Sequence, residues 1–346
     1  MYGRSMRAMI LKEFRELRRD RRTVAMLVVL PLLLLTIFGF AATFTVDHLG
    51  VVVVGPGAEQ AEQFLTADVL RIEEVRREAD RADAVAELAA NRADLAVVTG
   101  GSVPEVLIDG SNIFAAQSAN VLVAQLGDRV DSEILFNPDL DTSWVMVPAL
   151  IGLILTFIGT IITSIGMVKE RAAGTLEQLA VMPLRPMDVI VGKIAPYFLL
   201  AAIDLVLVTV LGRALFGVPF RGSVWLFALA GAVFLFLVLG IGVLISTVSQ
   251  NAGQAIQTAI LVLLPQILLS GMLFPLDAMP GGVRWIGYGL PLTYFIQVSQ
   301  GVMVRGAGLD SLWLPLVVLT GMAAAVFGLA IWRFRASITP RRAVAR

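Results

Sequence analysis

Few side chains in this 346-residue chain are equipped for covalent chemistry. Cysteine is absent, which excludes disulfides, thiolate nucleophiles and Cys-based zinc sites. The single histidine, His48, follows the first apolar run and reads as an interfacial bystander rather than a ligand. Asp204 stands in the middle of another apolar run. Burying its charge in a bilayer costs about 2.5–3.5 kcal/mol on insertion scales, so it is expected to be neutralised or paired. A structural hydrogen bond to a neighbouring helix is the plain reading, and a proton relay the sharper one. The apolar runs hold no histidine, cysteine or carboxylate pair, which argues against an intramembrane hydrolase. The only Gly-Lys pair is Gly192–Lys193, and a phosphate-cradling P-loop would need glycine at 187 and Ser or Thr at 194. Met187 and Ile194 stand there instead.

The elements that must carry these residues follow from composition. Hydrophobic residues make up 57% of the chain and charged residues 16%, with a mean hydropathy of +0.82. A soluble domain would carry roughly 25% charge. Several apolar runs exceed about 18 residues, enough to cross the hydrocarbon core as a helix. The reading is an α-helical integral membrane protein with six transmembrane helices and an inserted α/β domain. Residues 1–22 form an amphipathic helix, with Met6, Ile10, Phe14 and Leu17 on one face and Arg7, Lys12, Arg15, Arg18 and Arg19 on the other. The spans are read at 23–44, 144–167, 189–211, 223–248, 255–274 and 312–332. The first is too long, and its basic leader too extended, for a cleavable signal peptide.

Between the first two spans, residues 45–143 alternate short strands with helices, as an α/β domain does. Strands are read at GVVVVGP, LRIEEV, DLAVVTG and PEVLIDG, and a long helix over 112–136. Residues 275–311, with Trp285, Tyr288, Tyr294 and Phe295, read as one or two short helices at the membrane interface. Gly231, Gly240, Gly242, Gly321 and Ala325 are expected to let helices approach closely. Basic residues crowd both ends, from Arg4 to Arg22 and from Arg333 to Arg346. The positive-inside rule puts both termini in the cytoplasm, the α/β domain outside, and the protein in the cytoplasmic (inner) membrane.

That topology places the stretch KERAAGTLEQLAVMPLRPMD, within 168–188, on the cytoplasmic face. Thr175 and Gln178 have capping-box spacing, and Gly174 allows the turn into a short helix over 176–182. Pro183 and Pro186 end it, since proline cannot continue a helix. The bland interpretation is a tidy helical turn between two spans.

The same stretch resembles the signature of the ABC-2 family of ABC-transporter membrane subunits, E-R-x-x-G-T-x-E-x-L-x-x-x-P-L. Glu170, Arg171, Gly174, Thr175, Glu177, Leu179, Pro183 and Leu184 match it. KEFRELRRDRR near the N-terminus, FNPDL before the second span and LSGMLFPLDAMP…LPLTYF are also similar to that family, and Met182 departs from its usual small hydroxyl residue. The resemblance implies a type V ABC exporter-like permease. It would dimerise with a second permease subunit, as homo- or heterodimer, and be driven by two copies of a separate cytoplasmic ATPase that binds ATP and Mg. No cofactor would sit in this chain. The loop residues Glu170, Arg171, Gly174, Thr175, Leu176, Glu177, Gln178, Leu179 and Pro183 would couple to that ATPase, with Phe14, Leu17, Arg18 and Arg19 of the N-terminal helix completing the interface. Nucleic acid is not an expected partner, and an extracytoplasmic adaptor is an option left open.

Thr156, Thr160, Thr163 and Ser164 fall at i, i+4, i+7 and i+8, so all four hydroxyls share one helical face. They read either as helix packing, with hydroxyls bonded to backbone, or as lining for a translocation path. In related permeases the second and fifth spans face a central path, which adds Gln266 to the path candidates. A mostly apolar wall suits an amphipathic, drug-like or lipid-like cargo. The alternative function is a membrane sensor with the α/β domain as receptor.

Overall fold

The computed structural model describes residues 48–64, 69–173 and 186–338, with no side-chain description at 62–64, 128, 186–193, 277 and 334–338. The N-terminal helix with Phe14, Leu17, Arg18 and Arg19, the first apolar run, and Gly174, Thr175, Leu176, Glu177, Gln178, Leu179 and Pro183 lie outside the described residues.

The α/β domain comes first. Its elements are β1 (Leu49–Val54), α1 (Ala58–Phe64), β2 (Leu70–Arg76), α2 (Arg81–Ala89), β3 (Leu95–Val98), β4 (Glu105–Asp109), α3 (Ile113–Leu126) and β5 (Asp131–Leu135). The strands form one sheet in the order β2-β1-β3-β4-β5. Every neighbouring pair is parallel except β3 with β4. The valine run of β1 is explained by its central place. Leu49, Val51 and Val53 pack with α1 and α3 on one face, while Val52 and Val54 pack with Ala84 and Leu88 of α2 on the other. A strand covered on both faces needs no polar alternation. Both edge strands carry charge, Arg71, Glu73 and Glu74 in β2 and Asp131 and Glu133 in β5, which discourages pairing with another sheet. Asp80 and Asp83 form a reciprocal capping box that starts α2.

One expectation is corrected here. The segment 112–136 is not one helix. α3 stops at Leu126, Gly127 adopts a positive φ of 56°, and the chain returns as β5 parallel to β4. The sheet edge supplies the hydrogen bonds that a continued helix would have supplied.

The helical part consists of α4 (Thr142–Ala172), α5 (Pro186–Phe216), α6 (Val224–Val248), α7 (Ala252–Leu269), α8 (Gly281–Tyr288), α9 (Pro291–Gln300), a π-helical turn (Gly301–Arg305) and α10 (Leu309–Ile338). Among the described residues, five helices are long and apolar enough to cross a membrane: α4, α5, α6, α7 and α10. The helices overrun the spans read from hydropathy at most ends, because backbone hydrogen bonding continues past the apolar stretch. α7 differs in the other direction. It ends at Leu269, and Ser270–Phe274 leave it in a turn that Gly271 makes with a φ of 88°. Pro186 is the first residue of α5, where its missing N–H is no loss, and the short helix expected over 176–182 lies outside the described residues.

α6 is the centre of the bundle, packed on both α4 and α10. The close approach comes from small residues. A Cβ at Gly242 would stand 2.8 Å from Thr163 Cβ and 3.0 Å from the Thr160 carbonyl, and one at Gly152 would stand 2.6 Å from Phe295 Cδ1. The Phe295 ring stacks on Phe234, with centroids 4.3 Å apart. Gly231 and Gly240 also face neighbouring helices, on Leu205 and on Val326 and Phe327. A Cβ at Gly321 would meet no atom among the described residues, so the expected close approach is not seen there.

Candidate functional site

Three clusters concern function: the end of α4, the hydroxyl face of α4, and the junction between the sheet domain and the helices.

α4 is a continuous helix of 31 residues that carries Lys169, Glu170 and Arg171 in its last turn. Arg171 Nη1 donates to the Ser246 carbonyl of α6 at 3.0 Å. That carbonyl belongs to the last turn of α6, where unsatisfied carbonyls and the negative end of the helix dipole both favour a cation. The arginine of the signature therefore ties the end of α4 to the central helix. Glu170 is half-buried beside it.

Thr156, Thr160, Thr163 and Ser164 are all fully buried, and α4 is packed on α6 along this seam. Thr156 Oγ1 donates to the Gly152 carbonyl at 2.7 Å, and Ser164 Oγ to the Ile161 carbonyl at 3.0 Å. The hydroxyls of Thr160 and Thr163 have no hydrogen-bond partner among the described residues. Gln266, also buried, is separated from this face in its contacts. Its Oε1 accepts from the Leu292 N–H at 3.2 Å, satisfying one of the free donors at the start of α9. Among the described residues, no hydrogen bond joins Gln266 to the four hydroxyls.

Asp204 Oδ2 makes no hydrogen bond among the described residues, so the expected bond to a neighbouring helix is not formed there. The carboxyl borders a small cavity of about 120 Å³ that Thr163 and Tyr197 also line.

The junction is held by residues that composition and periodicity do not single out. In the FNPDL segment, Phe136 and Leu140 adopt positive φ values of 65° and 49°, folding the chain back between β5 and α4. Asn137 sits inside that fold. Its Nδ2 donates to the carbonyls of Gly110 (3.2 Å) and Asp141 (3.1 Å), and its Oδ1 accepts from the Asp141 N–H (2.9 Å). Gly110 has no room for a side chain, because a Cβ would meet the Asn137 carbonyl at 2.6 Å. Arg221, between α5 and α6, donates from one Nη1 to the carbonyls of both Phe136 and Val304, each at 2.8 Å. Its guanidinium carbon lies 5.8 Å from the centroid of the Trp144 ring, a cation–π distance.

Arg305 makes the deepest link. It ends the π-helical turn and is buried, and its Nη1 donates to Asn91 Oδ1 and Ser111 Oγ, both at 3.1 Å. Behind it the Ser111 N–H donates to Asp109 Oδ1 at 2.8 Å. Burial pushes the Asp109 carboxyl above the ordinary carboxylate range, with the Arg305 charge pulling the other way. Sequence reasoning missed Arg305. The only signal was an arginine just before Gly306-Ala307-Gly308 in an otherwise apolar region.

The long apolar helices define a multi-pass helical membrane protein. The chain belongs to the ABC-2 transporter family: the model of the ABC-2 family transporter protein matches residues 21–332. It is similar to the probable multidrug ABC transporter permease YbhR of Escherichia coli (strain K12), 29% identical over 90% of this chain and 94% of that protein. The inner membrane transport permease YhhJ of the same strain is 33% identical, over 69% of this chain and 64% of its own. ABC transporter G family member 20 of Dictyostelium discoideum is 27% identical over 62% of this chain and 30% of that protein. The family resemblance carried by the 170–184 signature is therefore established for the chain as a whole.

Proposed function

We propose that this protein is the permease subunit of an ATP-driven exporter in the inner membrane. It works as a dimer, and each permease is coupled to a separate ATPase subunit that binds ATP and Mg. The observation that carries the reading is the family match over residues 21–332. With the first apolar run it would have six spans, both termini in the cytoplasm and the sheet domain outside.

The mechanism follows from the stiffness of α4. Beyond Pro148, whose missing N–H interrupts the hydrogen-bond ladder near its start, α4 runs as a helix to Ala172, and a helix of that length transmits displacement along its axis. The signature segment begins where that helix ends. A push on the 174–185 segment by a closing ATPase is then delivered through Glu170 and Arg171 to α4, and through the Arg171–Ser246 contact to α6. The far end of α4 meets the sheet domain at Asn137 and Asp141. One rod thus joins the ATPase-facing end to the opposite face.

The hydroxyl face of α4 is closed by α6, which favours helix packing for Thr156, Thr160, Thr163 and Ser164 over lining an open path. They would reach cargo only if export separates these helices. The cargo class that fits an apolar bundle is amphipathic, drug-like or lipid-like.

Co-expression with a candidate P-loop ATPase from the same genome provides the test. The two proteins should co-purify from membranes. Glu170→Ala and Gly174→Pro should leave the complex in the membrane while separating ATP hydrolysis from transport. Purification without any P-loop partner, or full transport by both variants, would overturn the reading.

A further inference from the structure

The junction contains a cavity of about 490 Å³ that the export reading does not by itself use. It lies between α3 of the sheet domain, the first turns of α4, the turn after α7, and α9. Its volume is within the ~300–1,000 Å³ usual for small-molecule sites. Phe114, Met146, Met272 and Ile296 give it an apolar wall. Gln117, Gln297 and Gln300 line another part of it. Among the described residues, Arg305 is the only charged side chain in its lining.

Two features mark it as more than a packing defect. Arg305 is 8% exposed, and its Nε–H has no acceptor among the described residues, although Nη1 is fully engaged with Asn91 and Ser111. Ser270 is 1% exposed, and its hydroxyl also has no partner among the described residues. Unsatisfied buried donors are costly, about 1–3 kcal/mol each and more for a charged group. Both of these line the same cavity. Asp109, the nearest compensating charge, stands behind Ser111 and does not line it. Asn91 and Asn112 line both it and a neighbouring polar cleft of about 270 Å³ bordered by Arg71, Arg92 and Arg284.

We propose that this cavity binds an anionic amphiphile, its acidic head on Arg305 and Ser270 and its tail against Phe114, Met146, Met272 and Ile296. A carboxylate or phosphate head would accept from the two donors that the fold leaves unpaired, and a charge-assisted bond to a guanidinium is the stronger kind. The tail gains by leaving water for the apolar wall. Assigning the ligand as cargo rests on the export reading; the binding itself does not.

The test is photolabelling of the full-length permease, alone, in phosphatidylcholine nanodiscs. The probe is a diazirine-bearing dodecanoate, compared with the matching alcohol and the matching alkylammonium. Dodecanoate should label residues 113–117, 270–276 and 291–300 at least tenfold more than either analogue. Arg305→Gln should reduce dodecanoate labelling about tenfold and leave the alcohol's unchanged. Because Arg305 also joins two parts of the fold, Gln117→Trp serves as a second variant. It fills the cavity from an exposed position and should lower dodecanoate labelling several-fold without disturbing the junction. Equal labelling by acid, alcohol and amine, label outside these segments, or indifference to both variants would overturn the proposal. Phosphatidylglycerol in the nanodisc distinguishes two sources of the same chemistry. Suppression of the label points to an anionic membrane lipid as the natural occupant; persistence of the label points to an exported compound. Since no ATPase is present, failure here leaves the export reading standing, and failure to find an ATPase leaves the site standing.

Discussion

The sheet domain and the helical bundle solve opposite packing problems. In the sheet domain the large apolar side chains are inside: Leu49, Leu88, Leu107 and Ile108 are fully buried, and Arg81, Glu105 and Glu133 pair on the surface. In the bundle many large apolar side chains are also outside. Leu199, Ile203, Val206 and Val210 of α5 are exposed, Val206 by 63%, while glycine, threonine and serine occupy the α4–α6 seam. Water drives the first arrangement, since apolar area removed from it is worth about 25 cal/mol per Å². Lipid offers no such drive between helices, so close contact and hydrogen bonds must hold the second. The same substitution should therefore have different consequences in the two regions.

The largest effect is expected in the sheet domain. Leu107→Ala empties a fully buried position between β3 and β5 and should cost about 2–5 kcal/mol. Amide hydrogen exchange of β4 in the intact protein measures it, and a loss under 1 kcal/mol would break the comparison. In the bundle the corresponding sensitivity is to added volume. Gly242→Leu drives a side chain into Thr163 and the Thr160 carbonyl, at a cost of about 1–3 kcal/mol. Its melting temperature in detergent should fall well below that of Gly321→Leu, which meets open space among the described residues.

A smaller effect, in pH dependence, belongs to the junction. The folded-state pKa of Asp109 is raised by burial, so its contribution to stability is complete below the ordinary aspartate range and is lost as pH rises through the folded value. Asp109→Asn removes that dependence. Melting curves of both proteins from pH 4 to 8 should show wild type gaining on the variant as pH falls. A gap that widens in favour of wild type as pH rises would reverse the assignment. The smallest effect is expected for Val206→Ala. It removes as much apolar surface as many core substitutions, yet should change stability in nanodiscs by less than about 0.5 kcal/mol, because lipid surrounds an exposed side chain on α5. A cost of core size would mean that another protein surface covers this face.

Much of this was legible in the chain, for identifiable reasons. The GVVVVGP run announces a buried strand because only a strand covered on both faces tolerates four consecutive valines. The long apolar runs announce helices because a bilayer leaves few other ways to satisfy a backbone. β5 was not legible. DSEIL is short and half polar, and it becomes a strand only because β4 offers a free edge. The early end of α7 was equally hidden, since Ser270–Phe274 remains apolar while the backbone leaves the helix.

The candidate sites divide in the same way. The signature at 170–184 names the family by residue type and spacing alone, since its residues are contiguous in the chain. That Arg171 reaches the Ser246 carbonyl depends on two helices meeting 75 residues apart in sequence. Hydroxyls at 156, 160, 163 and 164 share a face by helical periodicity, but whether that face is closed by α6 or open to a path is a matter of packing. Local spacing and hydropathy thus determined most of the elements, the membrane class and the family. Only the tertiary structure decided that Arg305, Ser270 and an apolar wall from four separate segments share one cavity, because no local rule brings a buried charge together with neighbours so distant along the chain.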